Sequence, residues 1–216
     1  MFPKHKGRFI FMKKIRIAEI SAALGLVISV VFSIIGFGYN CNEIRNNIVR
    51  LHILANSDSA EDQRVKLIVR DELLNCGKDL FSGIVNVENA EEILNNQKED
   101  LLKIINSTLR ENGFEYTADI YLVREYFNTR SYEDFTLPAG EYLAVKVILG
   151  KAEGKNWWCV MFPPLCLPAA NKKEEFDIYI NESGAEIVQN YQRYEMKFKI
   201  IEIYENIKNN LKANFK

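Results

Sequence analysis

Alternating apolar and polar residues mark the first predicted strand at residues 48–54, IVRLHIL. The apolar side chains at positions 49, 51 and 53 share one face, and Arg50 and His52 share the other. A period of two predicts a half-buried strand, with Arg50 and His52 facing solvent. The polar residues ANSDS that follow predict a turn.

Two helices are predicted next, because apolar residues recur every three or four positions. The first begins at Ser59, which together with Asp62 resembles a capping box, and Gly77 is expected to end it. Its apolar face consists of Val65, Ile68, Val69, Leu73 and Cys76. The second helix is expected from Asn89, as its N-cap, to the pair Asn112-Gly113.

Three more strands and a closing helix complete the pattern. Residues 115–127, 141–149 and 157–162 are predicted as strands, since they alternate or are rich in aromatic and β-branched side chains. A polar hairpin turn is expected at 150–156 and a long helix at 185–211. The order strand, two helices, three strands, helix predicts an α+β fold with a small antiparallel sheet and helices on one side.

The N-terminal region follows a different pattern. Six basic residues and no acid lie in the first sixteen positions, and no charged residue occurs from Ile20 to Asn42. As a helix, the apolar residues 20–39 span the roughly 30 Å of a bilayer core. A basic flank before such a run is typical of a signal peptide or a signal anchor. The length of the run and the poor cleavage site at residues 36–38 favour an uncleaved anchor, and the signal peptide stays open as an alternative.

These features divide the sequence into four parts: a basic cytoplasmic tail (1–19), a transmembrane or signal segment (20–39), a linker (40–47) and an exported domain (48–216). The whole chain carries a formal charge of −1, but the part from Asn42 onward carries about −6. An acidic domain is a poor match for nucleic acid, whose phosphates require Lys and Arg. We therefore expect a partner other than nucleic acid.

The residues offer little for catalysis. His52 is the single histidine of the predicted exported domain, and it could pair with Cys159 or Cys166 in an exported thiol hydrolase acting on cell wall or peptide. Neither cysteine, however, lies in a nucleophile elbow or a known protease motif. Zinc requires three or four ligands in close groups, which these residues do not supply. We expect no catalytic residues, no metal and no cofactor.

The segment NWWCVMFPPLC at 156–166 concentrates two tryptophans, two cysteines and two prolines. The Pro-Pro pair forces a bend that can bring Cys159 and Cys166 to disulfide distance outside the reducing cytoplasm. The alternative is two buried free cysteines. Trp157 and Trp158 alternate across the strand, so one faces the core and the other faces outward as a possible partner contact.

Three segments resemble the stage II sporulation protein R family of endospore-forming bacteria. They are RLHILANSDSAEDQRVKLIVRDELL at 50–74, LPAGEY at 137–142 and NWWCVMFPPLC at 156–166. The basic tail and the apolar segment also match the layout of that family. The resemblance covers most of the chain from Ile48 to Cys166.

The resemblance implies a signalling function and no enzymatic activity. Members are made in the forespore and exported into the space between the two sporulation membranes. There they activate the membrane aspartic protease of the mother cell, stage II sporulation protein GA, which processes the precursor of sigma-E. The cytoplasmic membrane is expected as a second partner, through residues 20–39. Candidate contacts with the protease are His52, Asn56, Ser57, Asp58, Trp157 and Trp158.

Overall fold

The computed structural model describes residues 5–80, 87–163 and 180–214. The chain divides into two compact units, Met1–Asn40 and Cys41–Lys216. The first unit consists of most of helix α1 (His5–Asn46). By length and composition alone, the part Arg16–Asn46 could cross a membrane.

Helix α1 ends in the second unit, where Cys41, Ile44 and Arg45 are buried. Residues 40–46, expected as part of a linker, are therefore helical. The sequence signal for this part of the helix is weak because polar residues outnumber the two apolar ones, Cys41 and Ile44.

Two helices, α2 (Ala60–Leu80) and α3 (Val87–Glu111), follow strand β1 (Val49–Leu54). The helix starting after Ser59 is confirmed, but Gly77 does not end it, since Gly77 is buried and the helix continues to Leu80. Helix α3 begins at Val87, so Asn89 lies within the helix rather than at its N-cap.

The remaining strands are β2 (Ala118–Phe127), β3 (Arg130–Ser131), β4 (Thr136–Leu137), β5 (Gly140–Leu149) and β6 (Asn156–Phe162). The predicted closing helix is divided into α4 (Glu182–Gln189) and α5 (Tyr191–Asn214). Asn190 separates them, with both its backbone N–H and its side-chain amide donating to the carbonyl of Glu186. Strands β3 and β4 form a short separate pair that the sequence pattern did not indicate.

The main sheet has four strands in the order β2-β5-β1-β6. The α+β class is confirmed, but the expected all-antiparallel pairing is wrong, because β1 and β5 run parallel. Strand β1 lies between β5 and β6, which are neighbours in sequence. Residues 150–155 are therefore not a hairpin turn. They form a connection, here called the 150–155 crossover, that passes over the end of β1.

One face of the sheet packs against α2 and α3 and forms the hydrophobic core. Strand β1 contributes Val49, Leu51 and Ile53, and β5 contributes Leu143, Val145 and Val147. The helices add Val65, Val69, Leu73, Leu101, Ile105 and Leu109 to the same cluster. The alternation that predicted these apolar positions is confirmed.

The other face of β1 is also buried, against expectation. Arg50 is fully buried and His52 is 3% exposed, so neither side chain faces solvent. As a central strand, β1 has neighbours on both sides, and aromatic side chains from β2, β5 and β6 cover its polar residues. The prediction of a half-buried strand is wrong for this reason.

Candidate recognition face

His52 is the centre of a polar group on the sheet face opposite α2 and α3. Its Nδ1 lies 2.9 Å from Oε2 of Glu125 on β2, and its Nε2 lies 3.0 Å from Oδ1 of Asn156 on β6. Glu125 also forms an ion pair with Lys146 of β5, in which Lys146 Nζ lies 3.1 Å from Glu125 Oε1. The register explains this group, because His52 is paired laterally with Lys146 and with Trp158.

Trp158 covers His52. The two rings are stacked, with centroids 3.6 Å apart and planes inclined by 17°. Phe127 packs edge-on against the same indole at 5.0 Å. This surface, His52, Glu125, Lys146, Asn156 and Trp158, is here called the His52 face. Trp158, Glu125 and Lys146 are partly exposed, and His52 lies beneath them.

The arrangement is poorly suited to thiol catalysis. Both ring nitrogens of His52 already have partners. Cys159 is paired with Leu51, whose side chain points to the helix-covered face, whereas His52 points to the opposite face. A hydrolase needs its nucleophile within hydrogen-bond reach of its base. His52 and Cys159 do not meet that condition.

The turn after β1 holds the 150–155 crossover in place. Asn56 accepts a hydrogen bond from Lys151 N through Oδ1 and one from Glu153 N through its carbonyl. Asp58 Oδ1 accepts from Lys155 N at 2.7 Å. A Cβ at Gly154 would overlap the carbonyl oxygen of Ser57, so only glycine allows this close approach.

Asp62 connects the residues of that turn through several hydrogen bonds. Its carboxylate accepts hydrogen bonds from the side chains of Asn56 at 2.9 Å, Ser57 at 2.5 Å and Tyr116 at 2.6 Å. Ser59 accepts from Asp62 N at 3.1 Å, which confirms the cap half of the predicted capping box. The second half of a capping box, a bond from Ser59 N to the Asp62 carboxylate, is not formed. Ser59 N donates to Ser57 Oγ instead.

The electrostatics of Asp62 follow from these contacts. Burial raises the pKa of the carboxyl, but hydrogen bonds from Ser57, Tyr116, Asn56 and Ser59 together outweigh burial and hold the pKa below its ordinary value. Burial, followed by the hydrogen bond to Asp62, raises the pKa of Tyr116. Asp62 is thus ionised near neutral pH, and its charge organises the turn.

Arg50 is fully buried next to the His52 face. Its Nε donates to the carbonyl of Cys159 at 3.1 Å, and its Nη2 donates to Tyr132 Oη at 2.7 Å. The guanidinium lies 4.3 Å from the ring centroid of Phe127 and 5.2 Å from that of Tyr142. In the part of the chain that the structure describes, Nη1 has no hydrogen-bond partner. Burial lowers the pKa of Arg50, while the two tyrosines act in the opposite direction.

The two tryptophans lie on opposite faces of β6, as the alternation predicted. Trp157 is paired with Ile53 and packs against the core on the side of α2. The guanidinium of Arg70 covers its ring at 4.7 Å. Both indoles are half-buried. As candidate contacts, Trp157 and Trp158 cannot belong to one continuous surface.

Cys159 is disulfide-bonded, whereas Cys41 and Cys76 are not in a disulfide. The predicted partner, Cys166, lies outside the described residues, so the pairing stays a prediction. The bonded cysteine is on β6, beside Trp158 and beneath α2.

We expect thiol counting on denatured chain collected outside the cytoplasm to find at most two reduced cysteines, Cys41 and Cys76. Changing Cys159 and Cys166 to serine should lower the free energy of unfolding by about 2–3 kcal/mol, because the closed loop is short. Four free thiols in active protein would contradict the disulfide.

The sequence-predicted contact residues are thus separated. His52 and Trp158 lie together, Asn56, Ser57 and Asp58 lie at the crossover, and Trp157 lies on the other face. Sequence reasoning missed Glu125, Lys146 and Asn156. The alternation in β2 could have indicated that Glu125 shares a face with Phe127, but the order of the strands, which brings it to His52, has no local signal.

Within residues 5–80, 87–163 and 180–214, no group of three or more His, Cys, Asp or Glu side chains is placed to hold a metal ion. The expectation that the chain uses no metal or cofactor stays a prediction.

The fold and the site define a small α+β domain with a polar and aromatic face, joined to an apolar helix long enough to cross a membrane. The chain belongs to the stage II sporulation protein R family, whose sequence model matches residues 45–172. The resemblance noted in the sequence is therefore confirmed.

A relative from Bacillus subtilis (strain 168), named stage II sporulation protein R, is 35% identical over 123 residues. The match covers 57% of this chain and 55% of the relative, so it spans little more than half the length of that protein. No solved structure matches the chain significantly.

Proposed function

We propose that this chain is an exported signalling protein of sporulation that activates a membrane-embedded aspartic protease. The protease is the one known as stage II sporulation protein GA, which processes the precursor of sigma-E in the mother cell. The observation that carries this proposal is the family match over residues 45–172, which includes β1, the turn at 56–58 and β6. The chain would act by binding, not by catalysis.

The apolar helix is consistent with export of the domain across the membrane. Residues 20–39 would carry the domain out of the forespore into the intermembrane space, either as an anchor or as a signal peptide. The acidic domain from residue 48 onward would then face the protease across that space.

The His52 face is the surface that we propose for contact with the protease. Trp158 is held in one orientation by the rings of His52 and Phe127, so it loses little conformational entropy on binding. Aromatic anchors of this kind often dominate binding energy. Lys146 and Glu125 add a partly exposed pair of opposite charges. The turn residues Asn56, Ser57 and Asp58 and, on the other face, Trp157 stay as further candidates.

His52 itself is a poor site for a test, because its removal would disturb the stack and two hydrogen bonds. Lys146→Glu is better, since the lysine side chain is 27% exposed and makes one ion pair. The matched control is Lys103→Glu on α3, whose lysine also pairs with a single acid, Asp100, and is 74% exposed.

The test is co-expression of the full chain, the protease and the sigma-E precursor in a host that does not sporulate. We expect precursor cleavage only when the chain is present, at least tenfold less cleavage with Lys146→Glu, and unchanged cleavage with Lys103→Glu. No cleavage with the wild-type chain would overturn the proposed function. Full cleavage with Lys146→Glu would leave the function standing and remove the His52 face as its contact surface.

A further inference from the structure

Helix α5 has apolar residues on two opposite faces. One face is buried in the domain through Phe198 and Ile201. The other carries Met196, Ile200, Ile203, Tyr204, Ile207 and Leu211, here called the α5 stripe. Its members recur at three or four positions, as on one side of a helix, and all except Ile200 are 53–79% exposed. A helix that is apolar on both sides is typically covered on both sides.

The charges around the stripe are arranged for an anionic surface. Lys197 and Lys208 lie along one border of the stripe and Lys199 along the other, by their positions on the helix. Lys199 pairs with Glu202 at 3.4 Å and Lys208 with Glu205 at 3.3 Å, but both lysine side chains are exposed, and pairs made by exposed lysines are weak. The acids Glu195 and Glu202 fall on the side away from the stripe, and Glu205 is buried. Apolar residues bordered by lysines, with a tyrosine among them, are typical of helices that lie on membranes.

Within the second unit, α5 is tied to the C-terminal end of α1. Glu205 forms an ion pair with Arg45 at 3.4 Å, and both side chains are 8% exposed. Arg45 also donates to the carbonyl of Ala139 at 2.8 Å, which fixes it in the domain. Arg45 is six positions beyond Tyr39 in the sequence, a separation that spans at most about 20 Å of chain. Ile203 and Ile207 are each two positions from Glu205 in the sequence, and they face away from it, on the exposed side of α5.

We propose that α5 lies on the surface of the bilayer that holds residues 20–39, with the α5 stripe in the headgroup layer and the bordering lysines on anionic phosphates. The partner is the lipid surface, and the contact goes beyond the proposed signalling function. It gives the domain a second, reversible attachment, which would restrict how far its recognition face can turn from the membrane.

The test uses the full chain in vesicles of phosphatidylglycerol and phosphatidylethanolamine, with a photoreactive benzoylphenylalanine at Ile207. The matched control carries the same residue at Glu202, on the same helix but away from the stripe. Both positions lie at the surface of α5, so neither change removes a fully buried side chain.

We expect at least fivefold more lipid adduct from position 207 than from position 202, and a decrease when phosphatidylcholine replaces the anionic lipid. A high-salt wash precedes illumination. Loss of the chain from the vesicles at that step would show that residues 20–39 do not anchor it, and the proposal would fail. Equal lipid adducts at both positions, or an adduct from position 207 to a second copy of the chain, would also overturn it.

Discussion

Arg50→Ala is expected to lower the free energy of unfolding by about 3–5 kcal/mol, which is a large share of the stability of a typical domain. The side chain is fully buried, so alanine leaves a cavity among Phe127, Tyr132 and Tyr142. It also removes the donors to the Cys159 carbonyl and the Tyr132 hydroxyl, and unpaired buried polar groups are costly.

The variant Arg50→Met tests how much of the loss of stability comes from lost side-chain volume and how much from the lost guanidinium. Methionine fills most of the same space, and it removes a buried cation that has no carboxylate partner among the described residues. Methionine nevertheless leaves the Cys159 carbonyl and the Tyr132 hydroxyl without the donors that Arg50 supplied, which is costly for buried groups. We therefore expect a loss of about 1–3 kcal/mol, smaller than that for alanine because no large cavity forms.

Equilibrium unfolding in urea, followed by the fluorescence of Trp157 and Trp158, measures both variants in the full chain kept in detergent. Equal large losses for Ala and Met would show that the hydrogen bonds of the guanidinium, and not its volume, stabilise the sheet. No loss for Ala would contradict the buried placement of Arg50.

Asp62→Asn is expected to lower the free energy of unfolding at neutral pH by about 3 kcal/mol, since hydrogen bonds to a charged group contribute about 1.5–3 kcal/mol each and are not additive. The carboxylate joins Asn56, Ser57 and Tyr116, and Asn56 in turn holds the 150–155 crossover. An amide can accept only part of these bonds and presents a donor where an acceptor is needed.

The same carboxylate makes stability depend on pH. Its pKa is lower in the folded chain than its ordinary value of 3.8, so its contribution is present above that value. The contribution is lost as the pH falls through the folded pKa. Stability of the wild-type chain should therefore fall below about pH 4, and Asp62→Asn should show a smaller fall over the same range.

Urea unfolding at pH 7 and pH 3 measures this difference. The control is Asp119→Asn, at an exposed position of β2, which should change stability by less than about 0.5 kcal/mol. A wild-type chain and an Asp62→Asn variant with the same pH dependence would contradict the role of Asp62.

Local patterns predicted most elements of this fold, because strand and helix periods are properties of neighbouring residues. The four strands of the main sheet and the helix after Ser59 were found in this way. The parallel pairing of β1 with β5 was not, since strand order depends on contacts between distant parts of the chain. The small β3–β4 pair has two residues in each strand, too few for a period.

The error at Arg50 and His52 has the same cause. Polar residues at alternate positions usually face solvent, so the sequence predicts that Arg50 and His52 are exposed. In the fold, β1 is central, and Phe127, Tyr142 and Trp158 come from three other strands to cover its polar face. The residues that complete the His52 face could be identified only once those strands were aligned.

The position of β1 between β5 and β6 has a consequence for the proposed export, in which residues 1–19 stay in the cytoplasm and the start of the domain emerges first. Strand β1 would reach the far side of the membrane early, but its two neighbours, as far as Phe162, would follow only after about a hundred more residues. Until then its edges would lack their partners. The sheet would therefore be complete only when the chain has emerged as far as Phe162. Under the proposed function, a chain stalled before that point would present no complete recognition face to the protease.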